Sequence, residues 1–250
     1  MRRPSVLVFS LALLQCACTC ARERQHSDGG PAYFHVSPVR PVSELLPIAL
    51  AAAPPIESGN FKPSDLVELV RLDPDIRLDI RYATVHNFLE TPVYAQARAF
   101  LQRPAAEALV RVQHALAGDG YGLLVHDAYR PWYVTRMFWD ATPVDKHDYV
   151  ADPAKGSRHN RGCAVDLTLY DLRSGRAVEM PSLYDEMSER AWPSYAGGAT
   201  DARARRDLLR RRMEAEGFSV FETEWWHFDY QDWKSYAIQN VRFEAIRSDR

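Results

Sequence analysis

The sequence predicts an α+β fold: a single domain in which a central, mainly antiparallel sheet is flanked by helices. Segments with strand and helix periodicity are mixed without the regular strand–helix–strand rhythm of a parallel sheet. The 250 residues suffice for one domain plus an extension, and are few for two domains. The formal net charge of −2 provides no large basic field, so we expect no nucleic-acid partner.

The N-terminus has the features of an export signal. Arg2 and Arg3 precede an apolar run, 6–14, that is too short to span a membrane, and small residues follow as far as Ala21. We therefore predict a signal peptide over residues 1–21 and an exported protein, periplasmic or associated with the cell envelope. The alternative is a buried N-terminal helix.

Cysteine usage agrees with removal of this segment. Three of the four cysteines, Cys16, Cys18 and Cys20, lie inside it, which leaves Cys163 without an internal disulfide partner. Ala17-Cys18 offers a small residue before a cysteine, so a lipid anchor at the N-terminus is an open alternative to a free protein.

Residues 22–60 are polar at first and then rich in proline and alanine, which predicts a flexible or weakly structured extension. A short helix over 45–53 is the alternative, although prolines bracket it. The folded domain is predicted to occupy residues 61–247.

The first elements of the domain follow from simple periodicities. Ile76, Leu78 and Ile80 alternate with charged residues, as in a half-buried strand. A helix is predicted over 104–117, because an apolar face repeats at helical spacing, Pro104 occupies the first turn and Gly118 ends it.

In the middle of the domain, the pattern of apolar residues predicts a strand over 121–125 and a helix that begins at Pro131. A long loop over 145–162 and a strand over 164–170 follow. The last strand should turn alternate residues to the core and to the opposite face. The expected core residues are Val165, Leu167 and Leu169, and the opposite set is Ala164, Asp166 and Thr168.

The C-terminal part predicts a helix over 201–216, with Thr200 as its N-cap and Gly217 just past its end. A further strand is predicted over 218–230, where aromatic residues favour extended chain.

Two short segments, 157–166 and 222–227, carry side chains suited to metal chemistry. Catalytic zinc needs about three protein ligands, an open position and a base for water. His159, Asp166 and His227 supply two imidazoles and a carboxylate, and Glu224 supplies a base. Spacing alone leaves a second interpretation open, in which Asp166 is an ordinary polar residue of a solvated strand face.

The spacing of Glu224 and His227 makes a geometric demand. Residues three apart on a regular strand point to opposite faces, so the two could not share a site. We therefore predict a β-bulge, or a strand that begins only after Glu224. His159 should lie on the loop, with Gly162 turning the chain into the strand that bears Asp166.

Taken together, these segments resemble the D-alanyl-D-alanine dipeptidases of the vancomycin-resistance type, within the zinc DD-peptidase group that also contains DD- and LD-carboxypeptidases. The pattern Ser-x-His-x-x-Gly-x-Ala-x-Asp spans 157–166, and Glu-x-Trp-His spans 224–227. Similar blocks occur at 81–88, 127–131 and 180–190, so the resemblance covers about Asp65 to Phe243.

The resemblance implies a catalytic role for five residues. His159, Asp166 and His227 would ligate one Zn²⁺. Glu224 would act as general base and then donate the proton to the leaving amine. Arg130 would stabilise the oxyanion of the tetrahedral intermediate.

It also implies the substrate, a small D,D-dipeptide with D-alanyl-D-alanine as the leading candidate, held by Ser157, Asp185 and Tyr82. Asp185 would pair with the free ammonium group. No obligatory protein partner is expected. The alternatives are a DD- or LD-carboxypeptidase that trims peptidoglycan stem peptides and a zinc-bearing binding module without catalysis. His86 departs from the family pattern near the presumed substrate end.

Overall fold

The computed structural model describes residues 32–247. Within this range the helices are α1 (Val42–Ala51), α2 (Leu69–Leu72), α3 (Arg103–Ala117), α4 (Trp132–Ala141) and α5 (Thr200–Ala215). The strands are β1 (Leu66–Glu68), β2 (Arg77–Leu78), β3 (Phe100–Gln102), β4 (Tyr121–Asp127), β5 (Ala164–Asp171), β6 (Phe218–Phe221) and β7 (Glu224–Tyr230).

The main sheet has five strands in the order β2-β4-β5-β7-β6, and β1 pairs with β3 in a separate two-stranded sheet. Only the β2–β4 pair of the main sheet is parallel; β4–β5, β5–β7 and β6–β7 are antiparallel. The predicted α+β fold with a mainly antiparallel sheet is therefore confirmed.

Strand β5 lies at the centre of the sheet and is buried on both faces. Val165, Leu167 and Leu169 are fully buried, as their alternation predicted. Asp166 and Thr168, on the opposite face, are buried as well. That face is not solvated, which removes the interpretation of Asp166 as a residue of an exposed strand face.

Two local predictions differ from the structure. The alternating segment around Leu78 forms only the two-residue strand β2, because the chain turns at Arg81 into a 3₁₀ turn. The N-cap of α5 is Ala199, without a side-chain cap bond, and Thr200 is the first helical residue. The predicted Thr200 cap is therefore wrong, although Gly217 follows the helix with a positive φ of 86°.

The described part of the N-terminal extension packs against the domain. Helix α1 contacts α4, and its buried residues Val42, Leu45 and Ala49 recur every three or four positions along one face. The structure here differs from a weakly structured extension, since that apolar stripe is covered. In residues 32–247, no helix has the length and apolar character needed to cross a bilayer. The predicted signal segment lies outside the described residues.

Replacing Leu45 by Ala should destabilise the domain by about 2–5 kcal/mol, because the side chain is 3% exposed and its removal leaves a cavity. Ile48→Ala on the same helix is the control, since Ile48 is 46% exposed. Urea unfolding measures both variants. Equal stability of Leu45→Ala and the wild type would show that α1 is not packed in solution.

Candidate active site

Three side chains that are far apart in sequence meet at the centre of the sheet. His159 lies in a 3₁₀ turn, His159–Arg161, and Asp166 and His227 are directly paired residues of β5 and β7. Gly162 follows the turn with a φ of 70°, where a Cβ would lie 2.6 Å from the Leu66 side chain. Glycine therefore lets the chain reverse from the turn into β5, as predicted.

The polar atoms of these three residues converge on one point. His159 Nε2 lies 3.2 Å and His227 Nδ1 lies 3.0 Å from Asp166 Oδ1, and the two nitrogens are 3.1 Å apart. Asp166 Oδ1 is buried and accepts no hydrogen bond from any group within residues 32–247. Two imidazole nitrogens and a carboxylate oxygen are the donor types that Zn²⁺ takes, and a cation here would satisfy the buried oxygen.

Contacts behind the two histidines orient their rings. His159 Nδ1 lies 2.6 Å from the Ala128 carbonyl oxygen, and His227 Nε2 lies 3.0 Å from Asp229 Oδ1. Such partners take the outer N–H and direct the other nitrogen's lone pair to the metal. Sequence reasoning missed Asp229. The sequence feature that could have identified Asp229 is its position two residues after His227 on a strand, which places the two side chains on the same face.

Glu224 joins this site because the β6–β7 hairpin is irregular. The register shifts between Val220 and Phe221, so that Phe221 pairs with Glu224 at the start of β7. Glu224 Oε2 then lies 3.7 Å from His227 Nδ1, as the predicted bulge requires. Burial raises the pKa of Glu224 to about 7, with His227 opposing the shift. A carboxyl group with this pKa can take and return a proton near neutral pH.

Arg130 is held rigidly beside the ligands. Its Nε donates to Asp127 Oδ2 at 2.8 Å, and its Nη2 lies 3.6 Å from Asp166 Oδ2. The guanidinium also lies over the rings of Tyr82 and Phe138, at 5.3 and 5.0 Å from their centroids. The Arg130–Asp127 pair is buried rather than superficial, so a fixed positive charge faces the site.

A tyrosine pair links the ligand Asp166 to Asp185. Tyr184 OH donates to Asp166 Oδ2 at 3.0 Å, and Tyr82 OH donates to Asp185 at 3.0 Å. Burial and the nearby charge of Asp166 raise the pKa of Asp185 well above its usual range. Asp185 also has a φ of 59°, an uncommon conformation for a residue with a side chain. Sequence reasoning did not assign Tyr184 a role.

All eight predicted site residues line one cavity of about 450 Å³: Tyr82, Arg130, Ser157, His159, Asp166, Asp185, Glu224 and His227. The Ser157 hydroxyl accepts a hydrogen bond from the His159 N–H at 3.2 Å, so it also stabilises the turn. Lys155, Arg158 and Arg161 add positive charge to the lining. Cys163 is buried and stands outside the ligand group.

The chain is similar to known peptidases over most of its length. The model of a family described as D-ala-D-ala dipeptidase matches residues 62–246. The D-alanyl-D-alanine dipeptidase of Escherichia coli K12 is 35% identical over 185 residues, which cover 74% of this chain and 94% of that protein. The enzyme of the same name from Enterococcus faecium is 35% identical over 175 residues, covering 63% and 87%.

Solved structures give a weaker likeness. An LD-carboxypeptidase described as recognising peptidoglycan has a TM-score of 0.41 and 18% identity, covering 91% of this chain and 95% of that one. A vancomycin-resistance D,D-dipeptidase in complex with a D-Ala-D-Ala phosphinate analogue has a TM-score of 0.38 and 19% identity, covering 71% and 59%. Because these scores are low, the assignment rests on the sequence matches and on the donor set at the site. The chain belongs to the D-Ala-D-Ala dipeptidase family and is a zinc metallopeptidase.

Proposed function

We propose that this protein hydrolyses D-alanyl-D-alanine to D-alanine. The observation that carries the proposal is the convergence of three zinc-ligating side chains, a part-buried base and a fixed cation on one cavity. The similar proteins from Escherichia coli and Enterococcus faecium are D-alanyl-D-alanine dipeptidases, which supports this dipeptide as the substrate.

The metal ligands, Glu224 and Arg130 would each have a separate role in amide hydrolysis. His159, Asp166 and His227 would hold zinc, which when bound would supply Lewis-acid chemistry for the carbonyl group and the water. Glu224 accepts the proton of the attacking water and returns it to the leaving amine, for which its pKa of about 7 is suited. Arg130 donates to the carbonyl oxygen as negative charge develops on it.

Both ends of a dipeptide find complementary charge in the cavity. Asp185, hydrogen-bonded by Tyr82, would face the free ammonium group, whose positive charge opposes the raised pKa and favours the ionised carboxylate. Ser157 would contact the peptide beside the turn that carries His159. Lys155, whose side chain is 84% exposed and only loosely paired with Asp152, provides positive charge for the terminal carboxylate, whereas Arg158 is bound to Asp229 at 2.6 Å. A substrate with both chain ends free therefore suits this cavity better than a longer peptide.

We also propose export to the periplasm or cell envelope, which the signal-like pattern of residues 1–21 supports. A lipid anchor on one of the three N-terminal cysteines would keep the enzyme at a membrane. Mass spectrometry of the mature N-terminus distinguishes a cleaved, unmodified chain from a lipidated one.

A substrate panel tests the proposed reaction. Purified protein is incubated with D-Ala-D-Ala, L-Ala-L-Ala and a peptidoglycan stem pentapeptide, and released alanine of either configuration is measured. We expect rapid cleavage of D-Ala-D-Ala alone, and loss of activity with a chelator that is restored by zinc. Faster cleavage of the pentapeptide would instead identify a carboxypeptidase.

Asp185→Asn should lower kcat/KM for D-Ala-D-Ala by about 10- to 100-fold, because a hydrogen bond between charged groups is lost. N-acetyl-D-Ala-D-Ala, which lacks the ammonium group, is the matched probe. The wild type should discriminate strongly between the two peptides, and the variant should not. Unchanged discrimination in Asp185→Asn would assign ammonium recognition to another group.

A further inference from the structure

One carboxylate of the N-terminal extension reaches into the domain. Glu57 precedes the residues matched by the family model, 62–246, and its neighbours Ile56 and Ser58 are exposed. The Glu57 side chain, in contrast, is only 21% exposed. Its Oε1 accepts a hydrogen bond from Arg161, and its Oε2 accepts one from the Ile238 N–H at 2.6 Å.

Arg161, the ion-pair partner, belongs to the metal-binding turn. It lies two residues from His159 in the 3₁₀ turn His159–Arg161, and its side chain is 11% exposed. The guanidinium also donates to the Tyr236 carbonyl oxygen and lies 5.6 Å from the Trp233 ring centroid. A guanidinium this deeply buried depends on a charged partner, and Glu57 supplies that charge.

Ile238, the second partner of Glu57, belongs to a C-terminal segment that also contacts the His159 turn. Ile238 packs so closely on Gly156 that a Cβ there would lie 2.3 Å from the Ile238 side chain. The next residue, Gln239, donates its N–H to the Asn160 carbonyl oxygen at 2.9 Å. Asn160 in turn donates to the Arg130 carbonyl oxygen at 2.8 Å. Glu57 thus bridges the turn that holds His159 and the C-terminal segment that supports it.

We propose that Glu57 is a positioning residue for the zinc site, acting through Arg161 to keep the His159 turn in its metal-binding geometry. The extension upstream of the family match then takes part in retaining the metal. This inference rests on the zinc site of the proposed function, and not on the identity of the substrate. The experiment that tests it therefore needs no peptide substrate.

The test is zinc release from the full-length holoenzyme to a chromophoric chelator. Glu57→Gln keeps the size of the side chain and an oxygen for Ile238, but removes the charge. We expect about 10-fold faster release, the lower end of the effect of partners behind metal ligands. Glu44→Gln is the matched control, because Glu44 forms an exposed pair with Arg40 in the same extension. Its release rate should equal that of the wild type.

A double variant separates positioning from a general structural effect. If Glu57 acts through Arg161, then Glu57→Gln combined with Arg161→Gln should release zinc no faster than Arg161→Gln alone. Circular dichroism checks folding, and Glu57→Asp, which retains the charge, should release zinc at an intermediate rate. Wild-type release from folded Glu57→Gln would overturn the proposal, as would fully additive effects in the double variant.

Discussion

Replacing Glu224 by Gln should lower kcat by about 10²–10⁴-fold, the contribution typical of a positioned general acid or base. The amide has nearly the shape of the carboxyl group but cannot accept the proton of water. Because Glu224 stands outside the ligand trio, the variant should still bind one equivalent of zinc. Turnover of D-Ala-D-Ala and the zinc content of the purified variant are the two measurements.

Glu222→Gln is the matched control for this experiment. Glu222 is exposed, two residues earlier in the β6–β7 hairpin, and does not line the cavity that holds the ligands. Its turnover should equal that of the wild type. Full turnover by Glu224→Gln would mean that another group takes the proton of water. Loss of zinc from that variant would mean that Glu224 supports the metal instead.

Replacing Arg130 by Met should lower kcat by about 10²–10³-fold, the usual cost of removing one oxyanion donor. The same change should also lower the free energy of unfolding by about 3–5 kcal/mol, since it leaves the buried carboxylate of Asp127 without its cation. Steady-state kinetics and urea unfolding measure the two effects independently. Two large effects are expected because one guanidinium serves both the reaction and a buried ion pair.

Two further variants separate these effects. Arg136→Met on α4 removes a half-exposed arginine paired with Asp140, and should change neither kcat nor stability appreciably. Arg130→Met combined with Asp127→Asn removes the uncompensated charge, so it should recover stability without recovering kcat. Recovery of turnover in the double variant would contradict a role for Arg130 in stabilising the oxyanion.

Local pattern was sufficient to predict most elements near the site. The helix predicted over 104–117 is α3, and the loop, glycine turn and strand predicted between 145 and 170 lead through His159 to Asp166. The bulge before His227 was predicted because Glu224 and His227 would point to opposite faces of a regular strand, although both are needed at one metal site. It could be predicted because a strand has only two faces.

Other features depend on partners that are remote in sequence. Asp229 and Tyr184 contact the metal ligands His227 and Asp166, and neither contact follows from local pattern alone. Helix α1 was not predicted to pack, because its apolar stripe is short, Pro47 lies within it and its partner α4 is about 90 residues away. Periodicity shows that a face is apolar, but not which surface covers it.

The sequence by itself determined the chemical inventory of this protein: two histidines and an aspartate for a metal, a glutamate for proton transfer and an arginine for developing charge. Only the tertiary structure decided that these groups meet, because antiparallel pairing of β5 with β7 sets Asp166 beside His227. Tertiary structure also decided their environment. Burial of both faces of β5 leaves an Asp166 oxygen for a cation, and the low exposure of Glu224 at the start of β7 raises the pKa of its carboxyl group.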